Sequence, residues 1–448
     1  MREILWFRRD LRLEDCAILA HASNDVLPIF IFDTNILKKL PKEDKRVTFI
    51  YHSVLNLKQQ LKTIGLDLAI FYGDPKTIFQ QLLPLGFSKV LCSVDFDSYA
   101  IERDKTIESL LCMERYIDAF LLDPKEHRKK DGTPYKVFTP FYKSLEPLWS
   151  SSYIEEYQRN KALQKIEFDY DKVPTLQELG FEEQTLPNFL YQTPFELLEI
   201  FKTKVNQYEE QRDYFYCDGT SNLSVHLRFG LISPKQLFNA IRTLPSTAGV
   251  ECFIKELFWR EFYNAILFHF PKSEVENFNG ANLIWEEDEW VYEKWINAQT
   301  GVPLIDAAMK YLNQTGLMHN RLRMIVASFA SKNLLLPWKK CEEYFALKLL
   351  DYETSSNVGS WQWAASTGAD SVPYFRLFNP YVQSKKFDKE AVFIKRVLPE
   401  LNPVDAKVLH QENGLGNTLF ISYPKPIVSI EFSRQRAITF YKNVANLS

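Results

Sequence analysis

The stretch Asn357-Val-Gly-Ser-Trp361-Gln-Trp363-Ala-Ala-Ser-Thr-Gly368 combines two indoles with small and polar residues, and it is the most informative segment of the chain. Seven of the nine tryptophans fall between Trp259 and Trp363. An ordinary core uses Leu, Ile and Val, because an indole is bulky and its N–H needs an acceptor when buried. The crowding of indoles beside polar residues therefore favours an aromatic pocket for a flat ligand over a simple tryptophan-rich core.

Length and composition are those of an ordinary globular protein. The 448 residues suffice for two or three domains, with 46% apolar and 25% charged residues. Without a signal sequence or a long apolar run, we expect a cytoplasmic protein with no membrane contact. The six cysteines are scattered, which argues against a metal site or a disulfide framework. A net charge of −3 means that any DNA binding must use a local basic face.

Residues 1–122 alternate β-rich apolar runs with helical patterns, which predicts an α/β domain with a doubly wound parallel sheet. The predicted strands are 4–7, 26–32, 66–72, 89–93 and 116–121. Predicted helices lie between them at 46–64, 76–84 and 100–114. No Gly-x-Gly-x-x-Gly follows the first strand, so a Rossmann-type dinucleotide site is not indicated.

Residues 123–190 are rich in proline and lack a clear period, which predicts a linker. From 191 to 448 the strand signals disappear and helical periodicity dominates. The predicted helices are 195–210, 234–243, 251–269, 303–314 and 321–335. We therefore expect a larger all-helical domain at residues 191–448.

The predicted helix 251–269 has two faces of different chemistry. Glu256, Trp259, Arg260 and Tyr263 follow the spacing i, i+3, i+4 and i+7, so they share the face opposite the apolar stripe. A solvated face would carry Lys and Glu rather than Trp and Tyr. The group is typical of a pocket wall for a flat, polar ligand, with a Glu256–Arg260 surface pair as the simpler alternative.

A second predicted helix places Asn320, Arg323 and Met324 on one stripe. His319 precedes this helix, where a lone histidine is more often structural than catalytic. Upstream, Gly219-Thr-Ser-Asn-Leu-Ser224 begins a helical run. Its small hydroxyl residues and free N–H groups could hold a phosphate, although most such starts only cap a helix.

Five ordered motifs resemble the photolyase/cryptochrome family, most closely the class I cyclobutane pyrimidine dimer photolyases. They are Trp361-Gln-Trp363-Ala-Ala-Ser-Thr-Gly368, Trp259-Arg-Glu-Phe-Tyr263, Thr300-Gly-x-Pro-x-x-Asp-Ala-Ala-Met309, His319-Asn-Arg-Leu-Arg-Met324 and Trp6-Phe-Arg-Arg-Asp-Leu-Arg12. The resemblance covers nearly the whole chain. It implies an α/β domain joined to a helical FAD-binding domain, which agrees with the organisation described above.

The resemblance implies that FAD, active as reduced FADH⁻, binds in the helical domain with Asn357 facing flavin N5 and Asp351 paired with Arg323. The implied FAD-binding residues are Tyr208, Thr220, Ser221, Asn222, Leu223, Ser224, Arg323, Asp351, Tyr352, Glu353 and Asn357. Glu353, Asn222 and Ser360 depart from the commoner residues at their positions. The family also leaves room for a second, antenna chromophore of the deazaflavin, FMN or folate type. The segment Tyr99–Asp104 lacks the Asn-Glu pair typical of folate-binding members and is more similar to the deazaflavin or FMN type, between which the sequence does not choose.

The implied partner is damaged DNA, double- or single-stranded, with the dimer flipped out of the helix. The implied DNA- and dimer-binding residues are Arg212, Glu256, Trp259, Arg260, Tyr263, Asn320, Arg321, Met324, Trp363 and Arg376. The implied catalytic residues are Glu256, Asn357 and an electron relay of Trp361, Trp338 and Trp285. We expect light-driven dimer repair in a prokaryotic cell by a monomer without an obligate protein partner. The alternatives are a cryptochrome-type photoreceptor, a (6-4) photolyase, which would carry His at positions 320 and 324, and a non-repairing flavoprotein.

Overall fold

The computed structural model describes residues 2–149, 153–417 and 422–445 and divides into two compact units. The sheet unit comprises Met1–Pro134, Tyr142–Thr203 and Ser221–Phe268. The helical unit comprises Tyr135–Phe141, Lys204–Thr220 and His269–Ser448. The domain boundaries after residues 122 and 190 stay predictions.

Parallel strands form the centre of the sheet unit. They are β1 (Arg2–Phe7), β2 (Asp25–Asp33), β3 (Ala69–Gly73), β4 (Phe87–Ser93), β5 (Cys112–Tyr116) and the short β6 (Gln164–Lys165). Their order is β3-β2-β1-β4-β5, with β6 paired to β2. After its first residue, each of β1 and β2 is buried throughout, which requires cover on both faces. This confirms the predicted doubly wound parallel sheet.

The fifth strand lies earlier than predicted. The prediction of a strand at 116–121 is wrong, because the strand ends at Tyr116. The main-chain N–H groups of Leu121 and Leu122 instead donate to the buried carboxylate of Glu261, at 3.0 and 3.1 Å. A distant side chain thus satisfies donors that a strand would have paired with its neighbour, and the apolar run 119–122 is buried without being a strand.

Helices surround the sheet and build most of the remaining chain. Up to residue 269 the α-helices are Ala17–His21, Thr34–Leu37, Lys45–Thr63, Pro75–Leu82, Ser98–Glu108, Phe138–Ser144, Glu146–Trp149, Pro194–Lys204, Tyr208–Gln211, Ser224–Arg228, Pro234–Arg242 and Ala248–His269. After it they are Glu289–Ile296, Pro303–Thr315, Asn320–Ser328, Trp338–Lys348, Thr354–Ala364, Pro380–Phe387, Val392–Val397, Ala406–Leu409 and Ile430–Ala445. Within the described ranges, no strand follows Lys165, which confirms the helical second part, and no helix is long and apolar enough to cross a membrane.

The predicted helix 321–335 is in fact two elements. The α-helix Asn320–Ser328 continues as a π-helix over Phe329–Asn333. A π turn is wider than an α turn and rotates the residues after it, so the 3.6-residue pattern alone does not place their side chains.

The motif Thr300–Met309 is structural. Asp306 is fully buried, and its carboxylate accepts from the N–H and hydroxyl of Thr300, the N–H of Gly301 and the hydroxyl of Tyr423. Burial raises the pKa of Asp306. These four donors satisfy the carboxylate in the first turns of the helix Pro303–Thr315, so Asp306 stabilises the fold and takes no part in the chemistry.

Candidate active site

Asn357 is held by a carboxylate that sequence reasoning missed. Its Nδ2 donates to Oε1 of Glu342 at 2.8 Å and to the main-chain oxygen of the same residue at 3.3 Å. Glu342 is fully buried, and its Oε2 pairs with Nζ of Lys339 at 2.9 Å. Since a carboxylate only accepts hydrogen bonds, the amide NH₂ of Asn357 faces Glu342 and its Oδ1 faces away. Oδ1 of Asn357 is therefore an acceptor with a fixed orientation, available to a donor group of a ligand.

Arg323 and Asp351 form the ion pair that the family resemblance implied. Nη2 of Arg323 lies 3.0 and 2.8 Å from the two carboxylate oxygens of Asp351, and its Nε donates to the main-chain oxygen of Met318 at 2.8 Å. The following residue, Tyr352, has its hydroxyl 3.5 Å from Oε1 of Glu342. The structure therefore brings Arg323 together with Asp351, and Tyr352 together with the carboxylate that orients Asn357.

Two buried polar atoms near these residues have no partner within the part of the chain that the structure describes. One is the hydroxyl of Ser355, which lies between Glu353 and Asn357 in the chain. The other is Nε2 of His319. Nδ1 of His319 accepts the N–H of Arg321 at 3.2 Å, so Nε2 carries the proton of the neutral ring, and burial lowers the pKa of His319 to about 4. Buried atoms left unsatisfied are the expected mark of a polar ligand, so these residues fit FAD.

The segment predicted to hold phosphate changes direction sharply. Asn222 has a φ of +57°, in the left-handed region that Asn tolerates better than most residues. The N–H of Leu223 donates to the hydroxyl of Ser221 at 3.4 Å, and Ser224 begins a five-residue helix. In the helical unit, Tyr208 is buried and Thr220 is half-buried. Their contacts with a cofactor stay predictions.

The helix Ala248–His269 carries the predicted dimer-binding face. The ring of Trp259 lies 5.8 Å from that of Tyr263, and both residues are half-buried, as is Glu256. Arg260 contacts the main chain of another segment, because its Nη1 donates to the main-chain oxygen of Ala119 at 2.7 Å. Its guanidinium also lies 4.8 Å from the ring centre of Phe120. Arg260 thus ties its helix to residues 119–120, a contact that helical spacing could not reveal.

The other predicted dimer contacts belong to the helical unit. Asn320 is exposed at the start of its helix, and Met324 lies one turn later and is half-buried. Arg321 forms a two-point ion pair with Asp213, with distances of 3.1 and 2.6 Å. The ring of Trp363 is half-buried and lies 6.3 Å from that of Phe378.

The predicted relay tryptophans occupy different environments. Trp361 is 2% exposed and packs against Phe345 and Trp295, with ring centres 5.0 and 6.0 Å apart. Nε1 of Trp338 donates to Oδ1 of Asn277 at 2.7 Å. Trp285 is half-buried against Phe440 and Tyr441. Among the described aromatic pairs, the tryptophan whose ring contacts Trp361 is Trp295, which was not among the predicted relay residues.

The remaining predicted DNA-binding arginines, Arg212 and Arg376, differ in their surroundings. The guanidinium of Arg212 lies 5.6 Å from the ring centre of Tyr208. Arg376 is exposed in the loop after Trp363. In the sheet unit, the predicted antenna segment lies on Ser98–Glu108, where Arg103 lies 4.9 Å from the ring centre of Trp6 and the Tyr99 hydroxyl donates to Asp33.

Comparison with known proteins agrees with this arrangement. Residues 3–158 match the DNA photolyase family model, and residues 253–443 match the model for the FAD binding domain of DNA photolyase. A deoxyribodipyrimidine photo-lyase from Alkalihalophilus pseudofirmus is 34% identical over 98% of this chain and 97% of its own length. A bacterial class III photolyase from Agrobacterium tumefaciens shares 32% identity at a TM-score of 0.86, over 99% of this chain and 98% of that one. An archaeal photolyase from Sulfolobus tokodaii, solved with two FAD molecules, shares 30% identity at a TM-score of 0.86, over 99% of this chain and 100% of that one.

The fold and the matched FAD-binding domain define a flavin enzyme built from a parallel sheet and a helical part. The chain belongs to the DNA photolyase family. Its enzyme class is that of the deoxyribodipyrimidine photo-lyases, which are carbon–carbon lyases, and its cofactor is FAD. The resemblance inferred from the motifs is thereby confirmed.

Proposed function

We propose that this chain splits cyclobutane pyrimidine dimers in DNA by light-driven electron transfer from reduced FAD. The observation that carries the proposal is the Asn357 amide, whose NH₂ group is bound to Glu342 and whose Oδ1 faces away. An amide oxygen accepts the N5–H of a reduced, anionic flavin without adding a second negative charge. FAD supplies the light-driven electron transfer when it is bound, and the protein holds it, orients the dimer and excludes water.

Two residues favour the cyclobutane dimer over the (6-4) product as substrate. Asn320 and Met324 lie one turn apart on the same helix, where a (6-4) photolyase would carry histidines. An amide and a thioether suit hydrogen bonding and packing against a pyrimidine edge, and neither is a general acid. This sequence difference therefore supports cyclobutane dimer repair.

We further propose that Glu256, Trp259 and Trp363 each contact the dimer; Tyr263 lies beside Trp259. Indole faces provide stacking that tolerates any base, worth about 1–3 kcal/mol per base in comparable sites. The carboxyl group of Glu256 faces pyrimidine N–H and C=O groups, where charge develops after electron transfer. Loss of the Glu256 carboxyl group should therefore lower the rate of dimer splitting more than the affinity for dimer-containing DNA.

A second chromophore is part of the proposal. The structure of the Sulfolobus tokodaii photolyase contains two FAD molecules and was described as implying a novel light-harvesting cofactor. The deazaflavin, FMN and folate types expected from the sequence remain candidates beside a second FAD. An absorption spectrum of the purified protein distinguishes them by the bands that add to those of the catalytic flavin.

The test of the proposed function is light-dependent loss of dimers from ultraviolet-irradiated oligothymidine, with the enzyme reduced beforehand. We expect repair by the wild type in light and none in darkness. The double variant Glu256→Ala, Trp259→Ala should lose repair, while Lys255→Ala, an exposed neighbour on the same helix, should keep it. Normal splitting by the double variant, or none by the wild type, would contradict the proposal.

A further inference from the structure

Buried polar residues crowd the junction between the helix Asn320–Ser328 and the π-helix Phe329–Asn333. Ser328, Ser331 and Lys332 are fully buried, and Asn333 is 1% exposed. Lysine and asparagine rarely reach such depth, and π turns are frequent at functional positions. These residues therefore need a reason beyond filling the core.

Lys332 is the most unusual of them, because its ammonium is buried without a counter-ion. Within the described ranges, no carboxylate lies within ion-pair distance of its Nζ. Nζ lies instead 3.4 Å from the main-chain oxygen of Pro373 and 3.2 Å from that of Arg376. Burial lowers the pKa of Lys332 to about 7. An apolar side chain of similar length would avoid this desolvation, so the ammonium is explained by the two oxygens it binds.

Those two oxygens belong to one turn, closed by the N–H of Arg376 donating to the oxygen of Pro373 at 2.9 Å. The turn lies in the loop 371–379, which the helical unit holds at other points too. The N–H of Phe378 donates to the hydroxyl of Ser328 at 3.3 Å, and the N–H of Val372 donates to the oxygen of Trp363 at 3.3 Å. Lys332 and Ser328 thus hold the same loop from one continuous element.

The outer side of this loop is exposed. Phe375 is 58% exposed, and the side chain of Arg376 is also exposed. A guanidinium on a flexible loop would lose conformational entropy on binding a phosphate, whereas a loop already held in place avoids that loss. A rigid turn beneath Arg376 is therefore an advantage for binding a polyanion.

We propose that Lys332 is a positioning residue that holds the turn Pro373–Arg376 and thereby directs Arg376 toward the DNA backbone. This inference rests on the proposed function, because it takes DNA as the partner. Lys332 itself is buried and contacts no ligand. It acts through the loop, and the test must therefore report on the loop and on DNA separately.

The loop is tested by limited trypsin digestion, with mass spectrometry of the fragment that ends at Arg376. Lys332→Met should speed this cleavage about tenfold, because the opened turn is accessible to the protease. Val326→Ala serves as the control, since it destabilises the same helix through a fully buried side chain that makes no polar contact with the loop. Lys332→Leu, a shorter apolar side chain that cannot donate, provides a second variant if Lys332→Met does not fold. Unchanged cleavage after Arg376 in the folded Lys332 variants overturns the proposal.

The DNA arm measures dark binding to dimer-containing oligothymidine by fluorescence anisotropy at several salt concentrations. Lys332→Met should weaken binding and reduce the salt slope by about 1, as loss of one phosphate contact does. It should add nothing to Arg376→Gln in the double variant. Additive losses, or faster cleavage without weaker binding, overturn the proposal. If the wild type shows no preference for dimer-containing DNA, the proposed function fails, and the trypsin result still decides whether Lys332 holds the loop.

Discussion

Nδ2 of Asn357 donates to Oε1 of Glu342 at 2.8 Å, so a buried carboxylate determines which way that amide points. Replacing Glu342 with Gln removes this control, because an amide can present either a donor or an acceptor to Asn357. We expect Glu342→Gln to fold, bind FAD and lower the rate of dimer splitting about tenfold, equivalent to about 1.4 kcal/mol of barrier. Single-turnover repair with reduced enzyme measures the effect.

Glu343→Gln is the matched control, since Glu343 is the exposed neighbour of Glu342 on the same helix. It should repair dimers at the wild-type rate. Equal rates for Glu342→Gln and the wild type would mean that the orientation of Asn357 does not depend on the carboxylate.

We expect Trp361 to be the first electron donor in the proposed relay of Trp361, Trp338 and Trp285. Trp361→Phe should therefore abolish photoreduction of oxidised flavin but leave repair intact when the flavin is reduced chemically. Trp295→Phe is an informative comparison, because Trp295 lies 6.0 Å from Trp361 and is fully buried. If Trp338 and Trp285 extend the path, Trp338→Phe should stop photoreduction and Trp295→Phe should not. The opposite result from transient absorption would move the path to Trp295.

Two of the predicted DNA-binding arginines, Arg376 and Arg321, should differ in their effect on the salt dependence of DNA binding. Arg376 is exposed, whereas Arg321 is already paired with Asp213 at 2.6 Å. Arg376→Gln should lower the slope of log affinity against log salt by about 1, and Arg321→Gln should lower it by less. Titrations of dimer-containing DNA between low and moderate salt supply the slopes. Equal changes for both variants would show that Arg321 leaves Asp213 when DNA binds.

Two buried histidines should make the protein sensitive to acid. Burial lowers the pKa of both His226 and His319 to about 4, from an ordinary value of 6.5. Between these values the unfolded chain binds protons that the folded chain does not, so stability falls as pH falls from 6.5 toward 4. Urea unfolding at pH 7.5 and 5 should show a loss of a few kcal/mol. His226→Gln should reduce that loss, whereas His52→Gln, at an exposed position, should not.

The turn at Gly230 should tolerate no side chain. Gly230 has a φ of +66°, and a Cβ placed there would lie 2.1 Å from the main-chain oxygen of Arg9. Gly230→Ala should therefore lower the free energy of unfolding by about 3 kcal/mol or more. Gly65→Ala is the control, because Gly65 also has a positive φ but has open space around its Cβ position. It should lower stability by only about 1 kcal/mol. Similar losses in urea unfolding would mean that the contact with Arg9 relaxes freely.

Much of the fold could be predicted from the sequence because its signals are local. The buried strands at 4–7 and 26–32 are uninterrupted apolar runs, as a sheet covered on both faces requires. The helices around Glu256 and Asn320 show in the spacing of apolar residues. The fifth strand was misplaced because the N–H groups of Leu121 and Leu122 pair with a carboxylate far along the chain.

The sequence by itself determined the family, the sheet and helical parts and the residues of the matched motifs, because motif order, periodicity and composition need no tertiary contact. Only the tertiary structure decided what those residues bind. Glu342 orients the amide of Asn357, and the main-chain oxygen of Ala119 accepts a hydrogen bond from Arg260. Asp213 forms an ion pair with Arg321, and Lys332 donates to the main-chain oxygen of Arg376. Each of these contacts joins atoms distant in sequence, and hydrogen bonds and ion pairs depend on distances that only the folded chain sets.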